Sequence, residues 1–391
     1  MYQTPLFSGL HKILHDQVSD FSLEVLFGDD LSLKNNFYKE INTTFKPDTP
    51  FMLDGYKSIF LKNFTINPKS GFLSRVNLGI IFYLFSRKPD ILIIHGYETF
   101  TSWLALFIAK ILNIKVIWRG EVTLRKETDL KNFFKKKILS LFFSKVNAFF
   151  YSCTGNKNFI KSFNIKEDKM FFIPCAVDNN FFQKNFNILK HSRIINRKSL
   201  GINNDDFVVL FSARFTQRKR PFDLIKAFSK VDCSKKKLLF VGNGPLLNEM
   251  KEMVENLNLD AIFVGWKNQS EISLMYSIAN VAVVISEYDP SPKAMNEAMN
   301  FSLPIIVTNE VGTSSDLVKD GENGYIINLG DIEELTKKLC LLANDKPFTI
   351  KMGKKSQYII NDWNYKKNSE GMYACIKYLT FIKDANDSKK K

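Results

Sequence analysis

The sequence predicts an α/β protein built from two doubly wound domains. Short apolar runs typical of strands alternate with helical patterns in the first half of the chain, and the same alternation restarts at residue 207. This alternation is typical of a parallel sheet covered by helices. The length, 391 residues, also exceeds what one hydrophobic core usually serves. We therefore expect two facing Rossmann-like domains with a binding cleft between them, at the carboxyl ends of the strands.

The first domain is predicted to span residues 1–185. Helical spacing covers 101–112, and short apolar runs predict strands at 21–28, 90–96, 114–120, 147–152 and 169–174. A polar stretch then interrupts the alternation. We interpret residues 186–206 as the connection between the domains.

The second domain is predicted at 207–345, with C-terminal helices and a basic tail over 346–391. Its strands are expected at 207–213, 236–245, 261–266, 281–286 and 304–309, with helical patterns at 221–231, 246–257 and 271–279. Arg214, Lys219 and Asp289 each follow a strand end. Because the carboxyl ends of parallel strands meet at one edge of a sheet, we expect these three side chains to converge.

The composition limits the classes of partner. A net charge of +15 favours an anionic membrane surface or phosphate-bearing substrates, and no zinc-finger, RNP or basic-zipper pattern indicates nucleic acid binding. Five cysteines without metal-ligand spacing indicate a reducing compartment. The apolar runs are shorter than the roughly 20 residues of a membrane span, and the first residues lack the features of a signal peptide. We expect a cytoplasmic protein, with a peripheral position on the inner membrane face left open.

Residues 125–145 leave two interpretations open. Seven lysine and arginine side chains face only two acids there, interleaved with phenylalanine, leucine and isoleucine. The segment is either a basic amphipathic helix that lies on acidic lipid, or a helix packed on the core with a solvated lysine face.

A helix is predicted within "DPSPKAMNEAM", residues 289–299. Ser291 resembles an N-cap, with Pro292 at the first helical position. Asp289 stays in the preceding loop, and the unpaired amides at the helix start suit a phosphate. The alternative is a capped surface helix with a solvated polar stripe.

These residues together suit a nucleoside diphosphate sugar. Arg214 and Lys219 are able to neutralise a diphosphate. Glu297 is able to accept two hydrogen bonds from a ribose diol, as acidic residues do in dinucleotide folds, and Asp289 to accept from sugar hydroxyls.

The chain resembles the family 4 retaining glycosyltransferases, which have the two-domain GT-B fold. The E-x7-E element of that family is matched by Asp289 and Glu297, and its arginine and lysine by Arg214 and Lys219. "FVGNGP" matches the glycine-bearing strand end of the family, and "FIPCAVDNNFF" resembles its entry into the second domain. The resemblance covers about residues 90–345.

The resemblance implies roles for individual residues. Glu297 would bind the ribose of the sugar donor, Asp289 the transferred sugar, Arg214 and Lys219 the diphosphate, and the amides of residues 293–294 the distal phosphate. The glycines of the family's strand end correspond to Gly242 and Gly244, and the amides expected to bind the distal phosphate are those of Lys293 and Ala294.

In the first domain, His95 matches a family histidine near the acceptor and the reactive carbon. A lone histidine after an apolar strand is as readily a hydrogen-bonded structural residue, and both interpretations stay open. Arg119 and Glu121, at a neighbouring strand end, are weaker candidates.

Four positions depart from the family pattern. Asp289 is one methylene shorter than the usual glutamate, Pro292 stands at a common glycine position, and Ala213 and Arg220 replace glycines that flank the phosphate loop. In addition, residues 2–7 resemble the segment after the first strand of these enzymes. We therefore expect that strand to be absent or to lie upstream of Met1.

The predicted reaction is sugar transfer with retention, from a nucleotide-diphosphate sugar to a glycan or lipid-linked acceptor in cell-surface polysaccharide synthesis. No evident nucleophile and no D-x-D metal motif occur in the sequence. We therefore expect front-side displacement with neither cofactor nor metal, in which cationic side chains stabilise the departing diphosphate. Two alternatives are a non-catalytic nucleotide-sugar-binding subunit and a nucleotide-sugar epimerase of the same architecture.

Overall fold

The computed structural model describes residues 21–29, 36–38, 43–45, 53, 56–65, 71–124 and 130–387. Numbered along the chain, its strands are β1 Glu24–Phe27, β2 Asn36–Tyr38, β3 Thr43–Phe45, β4 Lys57–Phe60, β5 Ile91–His95, β6 Lys115–Arg119, β7 Ala148–Tyr151, β8 Met170–Phe172, β9 Phe207–Ser212, β10 Lys236–Val241, β11 Ala261–Phe263, β12 Val281–Val284, β13 Ile305–Thr308 and β14 Gly324–Ile327. The α-helices are α1 Gly79–Arg87, α2 Phe100–Ile111, α3 Leu130–Ser144, α4 Thr154–Lys161, α5 Asn179–Leu189, α6 Arg193–Lys198, α7 Pro221–Ser229, α8 Leu247–Asn256, α9 Gln269–Ile278, α10 Lys293–Asn300, α11 Ser314–Leu317, α12 Ile332–Asn344, α13 Lys346–Ile360 and α14 Tyr365–Asp387.

The chain divides into two units by its internal contacts. The first unit comprises residues 1–34, 51–174 and 365–391, and the second comprises 35–50 and 175–364. The contact boundary therefore follows Pro174, whereas the sequence placed the end of the first domain at residue 185. The C-terminal helices also divide, because α13 belongs to the second unit and α14 to the first.

The first unit contains a four-stranded parallel sheet in the order β5-β6-β7-β8. β1 pairs with β4 in a separate parallel ribbon. Alternate strand residues point to opposite faces of a sheet. Accordingly, Val116 and Trp118 join a core with helices α1 to α4 on one face, whereas Ile117 joins a second core with Cys375 of α14 on the other. The predicted absence of a family strand concerns residues 1–20, which lie outside the described residues.

The second unit contains a six-stranded parallel sheet in the order β11-β10-β9-β12-β13-β14. β9 and β10 are almost fully buried and rich in valine, leucine and phenylalanine, as expected for strands covered on both faces. The chain runs from β9 outward to β11, then crosses back to β12 and continues to β14 on the other side. This is the classic Rossmann strand order, 3-2-1-4-5-6.

The polar segment 186–206 is folded into the second unit rather than serving as a connection. It contains the end of α5 and all of α6. Arg197 is 1% exposed, and its guanidinium donates to the carbonyl oxygens of Ile278 at 2.8 Å, Asp206 at 3.0 Å and Asn203 at 3.1 Å. A buried guanidinium requires such partners. Arg197, one of the polar residues that suggested a linker, is therefore paired with carbonyl groups of the next loop and with that of Ile278, 81 residues away.

Candidate functional site

The topology of the second sheet selects one place for a ligand. β9 and β12 are neighbours, but the chain leaves β9 in one direction across the sheet and leaves β12 in the other. Ligands of open α/β sheets bind at such a switch point, beyond the carboxyl ends of the strands. The loop after β9 carries Arg214 and Lys219, and the loop after β12 carries Asp289. The sequence prediction that these loops meet at one edge is consistent with this strand order.

Gly242 and Gly244 shape the loop after β9 through close backbone approach. A Cβ at Gly242, which has φ +136°, would lie 1.9 Å from the carbonyl oxygen of Ala213. A Cβ at Gly244 would lie 2.3 Å from that of Phe215. The amide of Phe215 donates to the Asn243 carbonyl at 3.0 Å. The two glycines therefore hold the backbone on both sides of Arg214, whose side chain is exposed.

Arg220 has a left-handed backbone conformation, which explains why the family pattern has a glycine at this position. Its φ of 55° and ψ of 41° place it in the left-handed region, immediately before Pro221 at the start of α7. Glycine adopts this conformation without steric cost. Arg220 is held there by a hydrogen bond from its Nε to Asp223 Oδ2 at 2.7 Å.

The loops after β9 and β12 are tied together. The Arg218 guanidinium donates to the Tyr288 carbonyl at 2.9 Å, and the Glu287 amide donates to the Arg218 carbonyl at 2.8 Å. Lys219 Nζ forms an ion pair with Asp289 Oδ2, and the side chains of the pair are 14% and 15% exposed. The main-chain carbonyl of Asp289 accepts from the amide of Gly312 at 2.9 Å. Lys219 and Asp289, which are 70 residues apart, therefore lie in direct contact.

The helix after Asp289 differs from its prediction in two respects. α10 begins at Lys293 with Pro292 as its N-cap, and no side chain caps it. Ser291 is therefore not the N-cap, although it is buried. The surface-helix alternative is wrong, because all residues from Met295 to Asn300 are buried. The helix start presents amides without a side-chain cap, a suitable arrangement for a phosphate.

Glu297 is a buried carboxylate with an identified hydrogen-bond donor. It is 2% exposed, and its Oε2 accepts from the Tyr276 hydroxyl at 2.7 Å. Tyr276 belongs to α9 and is itself 1% exposed. A buried carboxyl group needs such a hydrogen-bond partner to offset its loss of water contacts. Sequence reasoning missed Tyr276, because nothing in the α9 pattern distinguishes it from an ordinary core aromatic residue.

The remaining polar side chains of α10 contact the segment that opens the second unit. Lys293 Nζ donates to Cys175 Sγ, and Asn296 donates to the Cys175 carbonyl at 2.9 Å. Asn300 donates to Asn179 Oδ1 at 2.9 Å. The polar stripe of α10 therefore anchors the helix rather than facing solvent. Ala294, whose amide was predicted to bind phosphate, lies in the first turn and is partly exposed.

The first unit brings His95 and Arg119 together. They are register partners at the carboxyl ends of β5 and β6, and the Gly96 amide donates to the Arg119 carbonyl at 2.7 Å. Although the imidazole retains contact with solvent, desolvation by surrounding protein lowers the pKa of His95 below 6.5. The Arg119 guanidinium lowers it further, against the opposing carboxylates of Glu121 and Glu98. His95 is therefore neutral at neutral pH, and its role toward an acceptor stays a prediction.

Within the described ranges, no three histidine, cysteine, aspartate or glutamate residues cluster closely enough to hold a metal ion together. In the same part of the chain, no helix has the length and apolar character required to cross a membrane.

Two Rossmann-like halves define the class: the chain has the GT-B fold, and its solved structural neighbours are glycosyltransferases of that fold. Residues 192–358 match the model of the family "Glycosyl transferases group 1". The matched part contains Arg214, Lys219, Asp289 and Glu297, and the resemblance found in the sequence is confirmed at this level. His95 lies outside the matched residues.

Individual relatives add detail. The chain is 25% identical over 379 residues to the UDP-Gal:alpha-D-GlcNAc-diphosphoundecaprenol alpha-1,3-galactosyltransferase of Escherichia coli, covering 93% of this chain and 92% of that protein. It is 27% identical over 225 residues to the alpha-monoglucosyldiacylglycerol synthase of Acholeplasma laidlawii, covering 56% of each. The structure of Anabaena HepE in complex with UDP and glucose is similar with a TM-score of 0.66, at 14% identity, covering 99% of this chain and 96% of that one.

Proposed function

We propose that this protein transfers a hexosyl group from a UDP-sugar to a lipid-linked acceptor, with retention of configuration, in the synthesis of a cell-surface glycan at the inner membrane face. The observation that carries the proposal is the meeting of Lys219 with Asp289 at the switch point of the second sheet, next to the uncapped start of α10. A diphosphate fits beside this cation and these amides, with the sugar next to the carboxylate.

The choice of substrates draws on the relatives. The Escherichia coli enzyme is named for a UDP-galactose donor and a diphosphoundecaprenol-linked acceptor, and the Acholeplasma enzyme for a diacylglycerol product. Both names describe alpha linkages. Because the hexose of UDP-galactose is itself alpha-linked to its phosphate, an alpha product corresponds to retention. We extend this outcome to the present chain.

The residues of this chain are assigned to a front-side displacement. The bond from the anomeric carbon to the β-phosphate oxygen breaks, and the bond to the acceptor oxygen forms on the same face. The acceptor proton passes to the departing phosphate oxygen. Lys219, Arg214 and the first amides of α10 stabilise the charge that develops on the diphosphate, in the place of a divalent ion. Glu297, oriented by the Tyr276 hydroxyl, binds the ribose.

The proposal is tested by transfer of radiolabelled sugar from UDP-hexoses to a polyprenyl-diphosphate-linked amino sugar. We expect Lys219→Ala to lower kcat by about 100-fold, the typical loss when one stabilising donor is removed. We expect Glu297→Gln to raise KM for the sugar donor by about 10-fold or more, since a hydrogen bond to a charged group contributes about 1.5–3 kcal/mol. Lys226→Ala, an exposed lysine on α7, is the matched control.

The assay also separates the alternatives. Undiminished transfer by both variants would refute the assigned roles. UDP-sugar binding without transfer to any acceptor would indicate a non-catalytic binding subunit, and conversion of the UDP-sugar without an acceptor would indicate an epimerase. Proton NMR of the product reports the anomeric configuration, and activity in EDTA tests the proposed independence from metal.

A further inference from the structure

We propose that Cys233 and Cys340 of the second unit form a reversible disulfide by exchange with a low-molecular-weight disulfide. Five cysteines occur in the chain. Cys153, Cys175 and Cys375 are at most 2% exposed, whereas Cys233 and Cys340 are partly exposed. Exchange requires that the external disulfide reach the sulfur. The two accessible thiols are also the two that the fold places beside each other.

The loop between α7 and β10 lies against helix α12. The amide of Asp232 donates to Cys340 Sγ at 3.4 Å, although the two residues are 108 positions apart in the sequence. One turn further along α12, Asn344 Nδ2 donates to the carbonyl oxygen of Asp232 at 3.4 Å. Cys233 follows Asp232 directly, and consecutive Cα atoms are about 3.8 Å apart. Two hydrogen bonds to one loop residue therefore hold Cys233 next to Cys340.

Both cysteines border the same core and the same cation. Cys233 and Cys340 pack against one hydrophobic core of the second unit. The ammonium of Lys236 donates to the Val231 carbonyl at 2.5 Å, beside this loop. Burial lowers the pKa of Lys236, and the thiols of Cys233 and Cys340 oppose this shift together with the carboxylate of Asp232. Both sulfurs therefore lie within electrostatic range of one ammonium.

The hydrogen bonds at the two sulfurs are weak. Cys233 Sγ donates to the Lys235 carbonyl at 3.5 Å, and Cys340 Sγ accepts from the Asp232 amide at 3.4 Å. Because a thiol is a poor donor and a poor acceptor, turning the Cys233 thiol toward Cys340 costs little. Residue 233 also lies outside helices and strands. Its backbone is therefore able to adjust to the Cα spacing of about 4.4–6.8 Å that a disulfide needs.

The exchange needs no group beyond the two cysteines and the external disulfide. The thiolate of one cysteine attacks a sulfur of the external disulfide, which forms a mixed disulfide and releases one thiol. The thiolate of the other cysteine attacks the protein sulfur of the mixed disulfide, which closes the Cys233–Cys340 bond and releases a second thiol. The chain loses two electrons and two protons, and the external disulfide gains them. Burial raises the pKa of the Cys375 thiol and so removes it from this chemistry.

The cross-link is expected to stabilise the second unit without changing donor binding. It closes a loop of about 100 residues, and a loop of that length strongly restricts the unfolded chain. The melting midpoint should therefore rise by about 4–16 °C on oxidation. Lys236 begins β10, whereas Gly242 follows the carboxyl end of that strand. Since the cross-link lies at the opposite edge of the sheet from the proposed donor site, UDP affinity should change by less than about twofold.

The test treats the full chain with glutathione disulfide, maps its disulfides by mass spectrometry and records thermal melts. We expect two thiols to be lost, a Cys233–Cys340 bond within one chain, the rise in midpoint, and full reversal by dithiothreitol. Cys233→Ser and Cys340→Ser should each abolish the rise and instead retain one bound glutathione. The matched control is Cys153→Ser, at a buried cysteine whose Sγ caps α4, a role that serine also fills. This variant should be oxidised like the unmodified chain.

UDP binding, measured before and after oxidation, shows that the second unit is folded. The inference does not depend on the proposed reaction, and this measurement separates a failure of one from a failure of the other. Four results would overturn it: a bond between two chains, a stable glutathione adduct on Cys233 or Cys340 of the unmodified protein, two thiols that resist excess glutathione disulfide, or a midpoint that does not rise once the bond has formed.

Discussion

Replacing Asp289 with asparagine is predicted to weaken the fold while tightening the binding of UDP. The carboxylate of Asp289 forms an ion pair with the ammonium of Lys219, and both side chains are about 85% buried. A bound diphosphate would compete for the same ammonium. The asparagine keeps the shape of the side chain but removes its charge. Lys219 therefore loses its ionic partner, and a diphosphate would no longer compete with a carboxylate for the ammonium.

The cost to stability follows from the burial of the pair. Exposed ion pairs contribute about 0–1 kcal/mol, whereas breaking a fully buried pair costs about 3–5 kcal/mol. With each partner 14–15% exposed, we expect a loss of about 1–3 kcal/mol on replacing Asp289. For a unit of this size, about 2–4 °C of melting temperature corresponds to each kcal/mol, so the midpoint should fall by about 2–12 °C.

The gain in affinity follows from the spacing of the charges. With Lys219 between them, the carboxylate and the diphosphate would be about 6 Å apart, where unit charges repel by about 2–3 kcal/mol at an effective dielectric constant near 20. Salt screens part of this repulsion. We therefore expect UDP to bind Asp289→Asn about 5- to 30-fold more tightly. Transfer should nevertheless fall, because the carboxylate proposed to hold the sugar is gone.

Calorimetric titration with UDP and thermal melts of the full chain measure both effects. The control Asp205→Asn removes a carboxylate from an exposed ion pair with Lys235 and should leave both measurements unchanged. The reasoning would be refuted by unchanged stability together with unchanged or weaker UDP binding in Asp289→Asn. The double variant with Lys219→Ala should show a coupling energy of about 1–3 kcal/mol in stability, as expected for residues in contact.

Three further predictions concern Tyr276, His95 and Gly242. Tyr276→Phe removes the hydrogen bond to Glu297 and should raise KM for the sugar donor about 10-fold with kcat nearly unchanged. The reason is that about 1–3 kcal/mol of donor binding depends on the position of the carboxylate. A fall in kcat alone would contradict this. The pKa of His95 is below 6.5 in the folded chain, so the stability that its neutral form contributes should be fully present above about pH 6.5 and decline as the pH falls toward the lowered pKa. Urea unfolding at several pH values measures this decline, and His95→Gln is expected to give a flatter profile. Gly242→Ala should lower the free energy of unfolding by about 3 kcal/mol or more and weaken UDP binding, because the new Cβ would collide with the Ala213 carbonyl. Gly201→Ala, which has open space around it, should lower the free energy of unfolding by only about 1 kcal/mol, as measured by chemical unfolding.

All strands of the four-stranded and six-stranded sheets except β14 were predictable, because burial on two faces leaves a continuous apolar run in the sequence. The predicted strand at 207–213 corresponds to β9 at Phe207–Ser212, and that at 114–120 to β6 at Lys115–Arg119. The ribbon strand β4, "KSIF", escaped prediction, since it is half exposed and has no continuous apolar run.

The polar residues whose surroundings were not predicted have one feature in common. Arg197, Asn296 and Tyr276 are polar groups satisfied by partners far away in the sequence, at separations of 21 to 121 residues. Local periodicity assigns a polar side chain to solvent, because it contains no information about a distant carbonyl or carboxylate. This led to a linker being expected at 186–206 and to a solvated stripe being considered on α10.

Asp289 and Glu297, the two acids of "DPSPKAMNEAM", have different partners, and this difference bears on the aspartate at position 289. Glu297 is held by the neutral hydroxyl of Tyr276, which a sugar donor has no reason to displace. Asp289 is held by Lys219, the cation that a diphosphate needs. The backbone of Asp289 is also fixed by the amide of Gly312 at 2.9 Å, so its short side chain reaches Lys219 from a defined position. The shorter acid therefore meets Lys219 from a fixed backbone position, and the coupling that the Asp289→Asn and Lys219→Ala variants would measure depends on that contact.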